Sequence, residues 1–233
     1  MSLNTFSLYL FGGTGDLSTR KLLPALFRQE TISSISHESQ IVGIGSKDLT
    51  VDSYTSMVKE SLSKHFHGFD ENGDAWKRFS MRLSYKKLDI NSDDDWKNFG
   101  NIPQDRPAIF YLATPPNLYK VISKSLKSGS LINSNSRIVV EKPIGSNLET
   151  ANEINNMLAE SFQENQIYPL DHSFCTYSVP PLLPIIFSNT LFDPPSSSPP
   201  IAPLPLPLAA HFRSPPPTSA LPSLPPPSYA LFF

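Results

Sequence analysis

A chain of 233 residues has room for one large domain or two small ones. Its formal charge of −2 gives no basic field for nucleic acid or an anionic membrane, and a single cysteine, Cys175, excludes an internal disulfide and a cysteine-rich metal site. No apolar run approaches the ~20 residues of a membrane helix, and no basic run precedes the apolar Phe6–Phe11 stretch as in a signal peptide. A cytoplasmic location is the default expectation.

Composition changes along the chain. All ten glycines lie at or before Gly145, while 17 of the 24 prolines fall from Pro180 onward. The first 179 residues mix charged and apolar residues as a packed domain does.

Phe6–Phe11 is a near-continuous apolar run ending at Gly12-Gly13, as expected of a strand buried on both faces. Helical residues follow from about Asp16 through Leu22, Leu23, Leu26 and Phe27, with Pro24 expected to kink that helix or delay its regular part. Gln40–Ile44 reads as a second strand. Thr50 or Asp52 then caps a helix with Tyr54, Met57, Val58 and Leu62 inward. Leu83–Leu88 is a third strand, with its Lys86-Lys87 pair read as a solvated face, and Asp93–Phe99 a short helix. Ala108–Ala113 is a strong strand, followed from Pro116 by a helix over Asn117–Lys127 with Leu118, Val121, Ile122 and Leu126 inward. Arg137–Val140 is a further buried strand, Leu148–Phe162 a helix and Ile167–Leu170 a last strand. This alternation predicts an α/β, doubly wound parallel sheet with helices on both faces.

Beyond Pro180 the segments PPSSSPP, PLPLPL and SPPPTSALPSLPPP cannot sustain a helix or a central strand, because proline lacks the N–H and restricts its predecessor. Residues 195–233 therefore read as an irregular, proline-rich tail.

The sharpest local signal is Gly12-Gly13-Thr14-Gly15-Asp16-Leu17, after a buried strand and opening a helix. Glycines there permit a tight turn and let backbone N–H groups approach a pyrophosphate at the helix N-terminus. The spacing is G-x-x-G rather than G-x-G-x-x-G, so a plain strand-to-helix turn stands beside the dinucleotide reading. At the end of the second strand, Ser46 and Lys47 precede Asp48. Without an acidic residue directly at the strand end, the pattern favours NADP over NAD.

Four ordered segments carry a resemblance to a known family. GGTGDLSTRKLLPALF resembles the G-x-x-G-D-L-x-x-R/K-K-L-x-P-A-L opening of glucose-6-phosphate dehydrogenases. IFYLATPP (Ile109–Pro116) resembles their FYLAxPP strand, and Arg137–Asn155 resembles their VVEKPFG segment. Gln166–Phe174 resembles the start of their IYRIDHYLGKE segment. The resemblance implies a Rossmann-like fold, NADP as coenzyme, and oxidation of glucose 6-phosphate at C1 to the lactone.

Roles follow position by position. Gly12, Gly13, Thr14, Gly15, Asp16 and Leu17 match the dinucleotide loop, and Lys21 a lysine at the coenzyme–substrate junction. Ser46 stands where many members carry an arginine on the 2′-phosphate, with Lys47 available to substitute. Asp89 and Ile90 resemble a coenzyme-contacting pair, and Ala113, Pro115 and Pro116 line the cleft. Lys142 matches a lysine contacting coenzyme and sugar, before a cis bond expected at Pro143. Asp171 matches the carboxylate orienting the catalytic histidine, and His172 a ligand of the sugar phosphate. No metal site is implied.

The pattern then breaks. Ser173, Cys175, Thr176 and Tyr177 replace tyrosine, glycine, lysine and glutamate of the family segment, and Pro169 replaces an arginine. The family's catalytic histidine lies about sixty residues beyond the Asp-His pair, in a second domain that also builds the family's homo-oligomers. His211 is the only later histidine in this sequence and lies at a different spacing. The expected organisation is an NADP-binding domain over 1–179, a remnant of the substrate domain over 180–194, and the tail over 195–233. A coenzyme-binding fragment of doubtful activity is the leading expectation. A non-catalytic NADP-binding or interaction protein with a proline-rich tail is the alternative, and an inactive gene product a third.

Overall fold

The computed structural model describes residues 5–141 and 148–170. The chain divides into units Met1–Asp193 and Pro194–Phe233, and every described residue falls in the first. The readings of 180–194 and of the tail lie outside the described residues.

Six strands form one sheet: β1 (Ser7–Phe11), β2 (Gln40–Gly45), β3 (Leu83–Lys87), β4 (Ala108–Leu112), β5 (Arg137–Glu141) and β6 (Ile167–Leu170). Their spatial order is β3-β2-β1-β4-β5-β6, and every neighbouring pair is parallel. This is the doubly wound, Rossmann-like order. β1 and β4 are buried along their whole length, which explains their unbroken apolar sequences.

Alternation along the strands splits the core between two faces. Leu8 and Leu10 of β1, Ile109 and Tyr111 of β4, and Val139 of β5 pack on one side. There they meet α1 (Leu23–Thr31), α2 (Val51–His65) and α3 (Asp74–Arg82). Tyr9, Phe11, Phe110, Leu112, Ile138 and Val140 face the other side. That side is covered by α4 (Asp93–Lys97), α5 (Tyr119–Ser128) and α6 (Leu148–Ser161).

Pro24 delays the regular helix. A π-helical turn spans Ser18–Leu22, with the Leu23 N–H donating to the Ser18 carbonyl, and α1 begins with Pro24 in its first turn. There the missing N–H costs nothing. Thr50 is the cap of α2, its side chain accepting from the Ser53 N–H at 3.1 Å. A short 3-10 turn over Pro116–Leu118 precedes α5, whose inward residues are Tyr119, Ile122, Ser123 and Leu126. Val121 and Leu118 are only half-buried.

Helix α3 is absent from the sequence expectation. It buries Trp76, Phe79 and Arg82, with the Phe79 ring 5.4 Å from that of Phe27. Only two apolar side chains mark its inner face among charged neighbours, and it is followed at once by β3. Its N-cap is Gly73, which offers no side-chain bond. The usual start signal is therefore missing.

Gly43 shows how β2 admits α2. A Cβ there would lie 2.8 Å from Tyr54 Cε2 and closer still to Cζ and the hydroxyl. Gly43→Ala is expected to destabilise the domain by about 1–3 kcal/mol through overpacking. Thermal unfolding measures this, with Tyr54→Leu in the same background recovering part of the loss.

Candidate functional site

Winding reverses between β1 and β4, because β1 leads outward to β2 and β4 leads outward to β5. In an open parallel sheet such a switch point leaves a crevice beyond the carboxyl ends of the two strands. Two loops meet there. The first runs from Gly12 to Leu17, and the second begins at Ala113.

Gly12 has φ +81°, and a Cβ on it would stand 2.5 Å from the Ala113 carbonyl oxygen. The N–H groups of Gly12 and Gly13 both donate to the Ile44 carbonyl at 2.9 Å. The Gly12 carbonyl accepts from the Gly15 N–H at 2.9 Å and the Ser18 hydroxyl at 2.8 Å. These bonds fix a tight turn, and helical residues begin at Asp16. The opening amides of a helix have no intrahelical acceptor and carry its positive dipole end. A phosphate group suits that end. Thr14, Gly15 and Leu17 are half-buried, Asp16 is exposed, and Gly13 is buried. The Asp16 carboxylate lies 3.4 Å from Arg20, one turn on, and Lys21 beside it is exposed.

Two tyrosines hold the adjoining loops. Tyr54 and Tyr85 have ring centroids 5.0 Å apart. The Tyr54 hydroxyl donates to the Gly13 carbonyl at 3.4 Å, and the Tyr85 hydroxyl to the Lys47 carbonyl at 2.8 Å. Burial raises both phenols above the usual range, Tyr54 most, with the other ring adding to it and the Asp48 charge adding to Tyr85. They are neutral donors at physiological pH. Neither was marked as a site residue by sequence. Tyr54 reads there as part of an apolar face, which is correct for its ring and silent about its hydroxyl.

Ser46, Lys47 and Asp48 are exposed after β2. Asp48 pairs with Lys87 at 2.9 Å, and that hydrogen bond is the first cause raising the Lys87 ammonium. Of the Lys86-Lys87 pair expected on a solvated face, Lys87 is exposed as expected, whereas Lys86 is half-buried. Lys86 donates to the Phe99 carbonyl with its ammonium 4.7 Å from the Phe99 ring centroid, and burial lowers it.

After β3, Asp89 is exposed and its N–H donates to Asp95 at 2.8 Å. The indole of Trp96 donates to the Ile90 carbonyl at 2.8 Å. Beyond β4, Ala113 is half-buried, Pro115 and Pro116 are exposed, and the Thr114 hydroxyl is buried with no hydrogen bond among the described residues. At the end of β5, the Tyr111 hydroxyl donates to Glu141 at 2.7 Å. Burial raises the Tyr119 phenol, partly offset by a hydrogen bond with the Glu141 backbone. Two tyrosines from opposite faces of the sheet thus converge on the residue before Lys142. Lys142 itself, Pro143, Asp171 and His172 lie outside the described residues.

The strand order and the glycine turn at the switch point define a dinucleotide-binding domain of the Rossmann-like class. The family described as "Glucose-6-phosphate dehydrogenase, NAD binding domain" matches residues 9–179, and the chain belongs to that family. Glucose-6-phosphate 1-dehydrogenase of Rhizobium meliloti is 35% identical over 192 residues, covering 81% of this chain and 39% of its own length. The enzyme of the same name from Buchnera aphidicola (subspecies Baizongia pistaciae) is 38% identical over 189 residues, covering 80% of this chain and 38% of its own. Among solved structures, glucose-6-phosphate 1-dehydrogenase from Mycobacterium avium superposes with a TM-score of 0.69 at 30% identity, covering 82% of this chain and 41% of its own. A glucose-6-phosphate dehydrogenase in complex with its substrate glucose-6-phosphate gives 0.65 at 27% identity, with 82% and 42% covered. The chain spans about two fifths of the length of these relatives.

Proposed function

We propose that this chain is the coenzyme-binding part of an NADP-dependent glucose-6-phosphate dehydrogenase. One observation carries the reading: the Gly12 turn packs beneath the Ala113 carbonyl, where a Cβ would stand at 2.5 Å. That packing admits only glycine and fixes the turn at the switch-point crevice, where the helix opening that follows suits a pyrophosphate. Bound NADP supplies the hydride acceptor for C1 of glucose 6-phosphate.

The protein's own groups bind and orient. Gly12, Gly13, Thr14, Gly15, Asp16 and Leu17 present the helix opening to the pyrophosphate, and Ala113 and Pro115 wall the cleft. Ser46 and Lys47 meet the adenosine 2′-phosphate. The Asp89–Ile90 segment borders the coenzyme. By their positions in the family pattern, Lys21 and Lys142 serve the sugar side, His172 its phosphate, and Asp171 matches the carboxylate that orients the family's catalytic histidine. Residues 1–179 form the coenzyme unit, 180–194 a remnant of the substrate domain, and 195–233 a proline-rich tail. A cytoplasmic setting completes the proposal. Among the described residues no helix is long and apolar enough to cross a membrane.

The test is a titration of NADP and NAD against tryptophan fluorescence, with Trp96 reporting through its bond to Ile90. NADP is expected to bind more tightly, by a modest ratio because Ser46 replaces arginine. Tighter NAD binding overturns the preference. Sugar-dependent NADPH formation by this 233-residue polypeptide is expected to be negligible. Thr176 removes one charge-assisted phosphate contact of about 1.5–3 kcal/mol, and no residue in the sequence aligns with the family base. Turnover at an ordinary dehydrogenase rate overturns that expectation.

A further inference from the structure

We propose that Lys87 is a coenzyme-selecting residue: it draws the Asp48 carboxylate onto β3, so that a 2′-phosphate beyond β2 meets Lys47 without a facing acid. The proposal rests on the coenzyme reading above and names a determinant outside its motifs.

The ends of β2 and β3 are locked in register, Gly45 opposite Lys87, with the Leu88 N–H donating to the Gly45 carbonyl at 2.9 Å. Gly45 adjoins the glycine turn, since a Cβ on it would lie 3.3 Å from Thr14 Oγ1. The three residues that follow Gly45 therefore border the position of the adenosine ribose. Two of them are held from β3. Tyr85 pins the Lys47 carbonyl at 2.8 Å, and Lys87 pairs with Asp48 at 2.9 Å.

An acid at this place accepts the ribose hydroxyls of NAD and repels the phosphate of NADP. Asp48 is the one acid of the Ser46–Asp48 loop. A second acid whose charge acts on Lys87, Asp95, is already engaged by the Asp89 N–H at 2.8 Å and the Ser92 hydroxyl at 3.1 Å. Lys87 and Asp48 side chains are 52% and 85% exposed. An exposed pair adds little to folding, so its effect falls on the local field rather than on stability. Lys47 forms no ion pair among the described residues.

The experiment measures binding of 2′,5′-ADP and 5′-AMP to the 233-residue chain, with thermal unfolding run alongside. The unaltered chain is expected to favour 2′,5′-ADP. Lys87→Gln is expected to lower that ratio about tenfold, one charge-assisted contact's worth, with an unchanged melting temperature. Adding Asp48→Asn to Lys87→Gln is expected to restore most of the ratio, because the liberated acid is gone. A ratio unmoved by Lys87→Gln overturns the proposal while leaving the coenzyme reading intact. A fall that persists in the double variant overturns it too, since Lys87 then grips the phosphate itself. Failure of the unaltered chain to distinguish the probes overturns the NADP reading and this proposal together.

Discussion

Gly12→Ala is expected to weaken NADP binding by about a hundredfold, the combined result of a strained backbone and a steric overlap. A left-handed conformation costs an L-residue about 1–2 kcal/mol, and Gly12 sits at φ +81°. The overlap adds to this, because the new Cβ would stand 2.5 Å from the Ala113 oxygen and 3.1 Å from its carbonyl carbon. Neither partner yields easily. The Ala113 N–H is bonded to the Phe11 carbonyl at 3.0 Å, and Gly12 is tied to Ile44, Gly15 and Ser18. Relief therefore moves the turn, and with it the amides offered to the pyrophosphate. Each 1.4 kcal/mol is about tenfold in affinity. Gly68→Ala separates the two causes, since Gly68 has φ +77° but nothing within 4 Å of a Cβ. It is expected to cost about 1 kcal/mol of stability and to leave NADP binding alone. Fluorescence titration and thermal unfolding of both variants decide the matter. NADP affinity in Gly12→Ala equal to that of the unaltered chain would mean the turn is not the pyrophosphate cradle.

Much of this architecture is legible in the sequence because the sheet is parallel and covered on both faces. Such strands must be apolar throughout, and the runs at Phe6–Phe11, Ala108–Ala113 and Arg137–Val140 stand out accordingly. The Gly12–Leu17 turn is legible for a related reason, since close backbone approach leaves only glycine. What stays hidden depends on pairings across long sequence distances. Tyr85 and Lys47, or Lys87 and Asp48, lie nearly forty residues apart, and only the parallel register of β2 and β3 brings them together. Helix α3 stays hidden because one of its three inward side chains is an arginine. Polar residues are ordinarily read as solvated, and the acid that justifies the burial of Arg82 lies on another helix.

That buried arginine sets the second large expectation. Glu30, 1% exposed at the end of α1, accepts from Arg82 at 2.9 Å and from Arg78 at 2.8 Å. Arg82 is equally enclosed and donates as well to the carbonyls of Ser36 and Ile35. A buried pair contributes little net stability against an apolar replacement, but removing one partner strands the other charge. The cost is then about 3–5 kcal/mol. Glu30→Leu is therefore expected to lower the melting temperature by about 10 °C, at roughly 2–4 °C per kcal/mol for a domain of this size. Glu30→Leu/Arg82→Met is expected to recover most of the loss, because the enclosed guanidinium is then gone and Arg78, whose side chain is 32% exposed, keeps its access to water. The cluster sits where α3 enters β3, at the amino ends of the strands, on the opposite edge of the sheet from the crevice. NADP affinity of the folded variants is accordingly expected to match that of the unaltered chain. Urea and thermal unfolding give the stability and the fluorescence titration gives the affinity. A single variant as stable as the unaltered chain, or a double variant weaker than the single one, would show that the carboxylate does not hold these arginines.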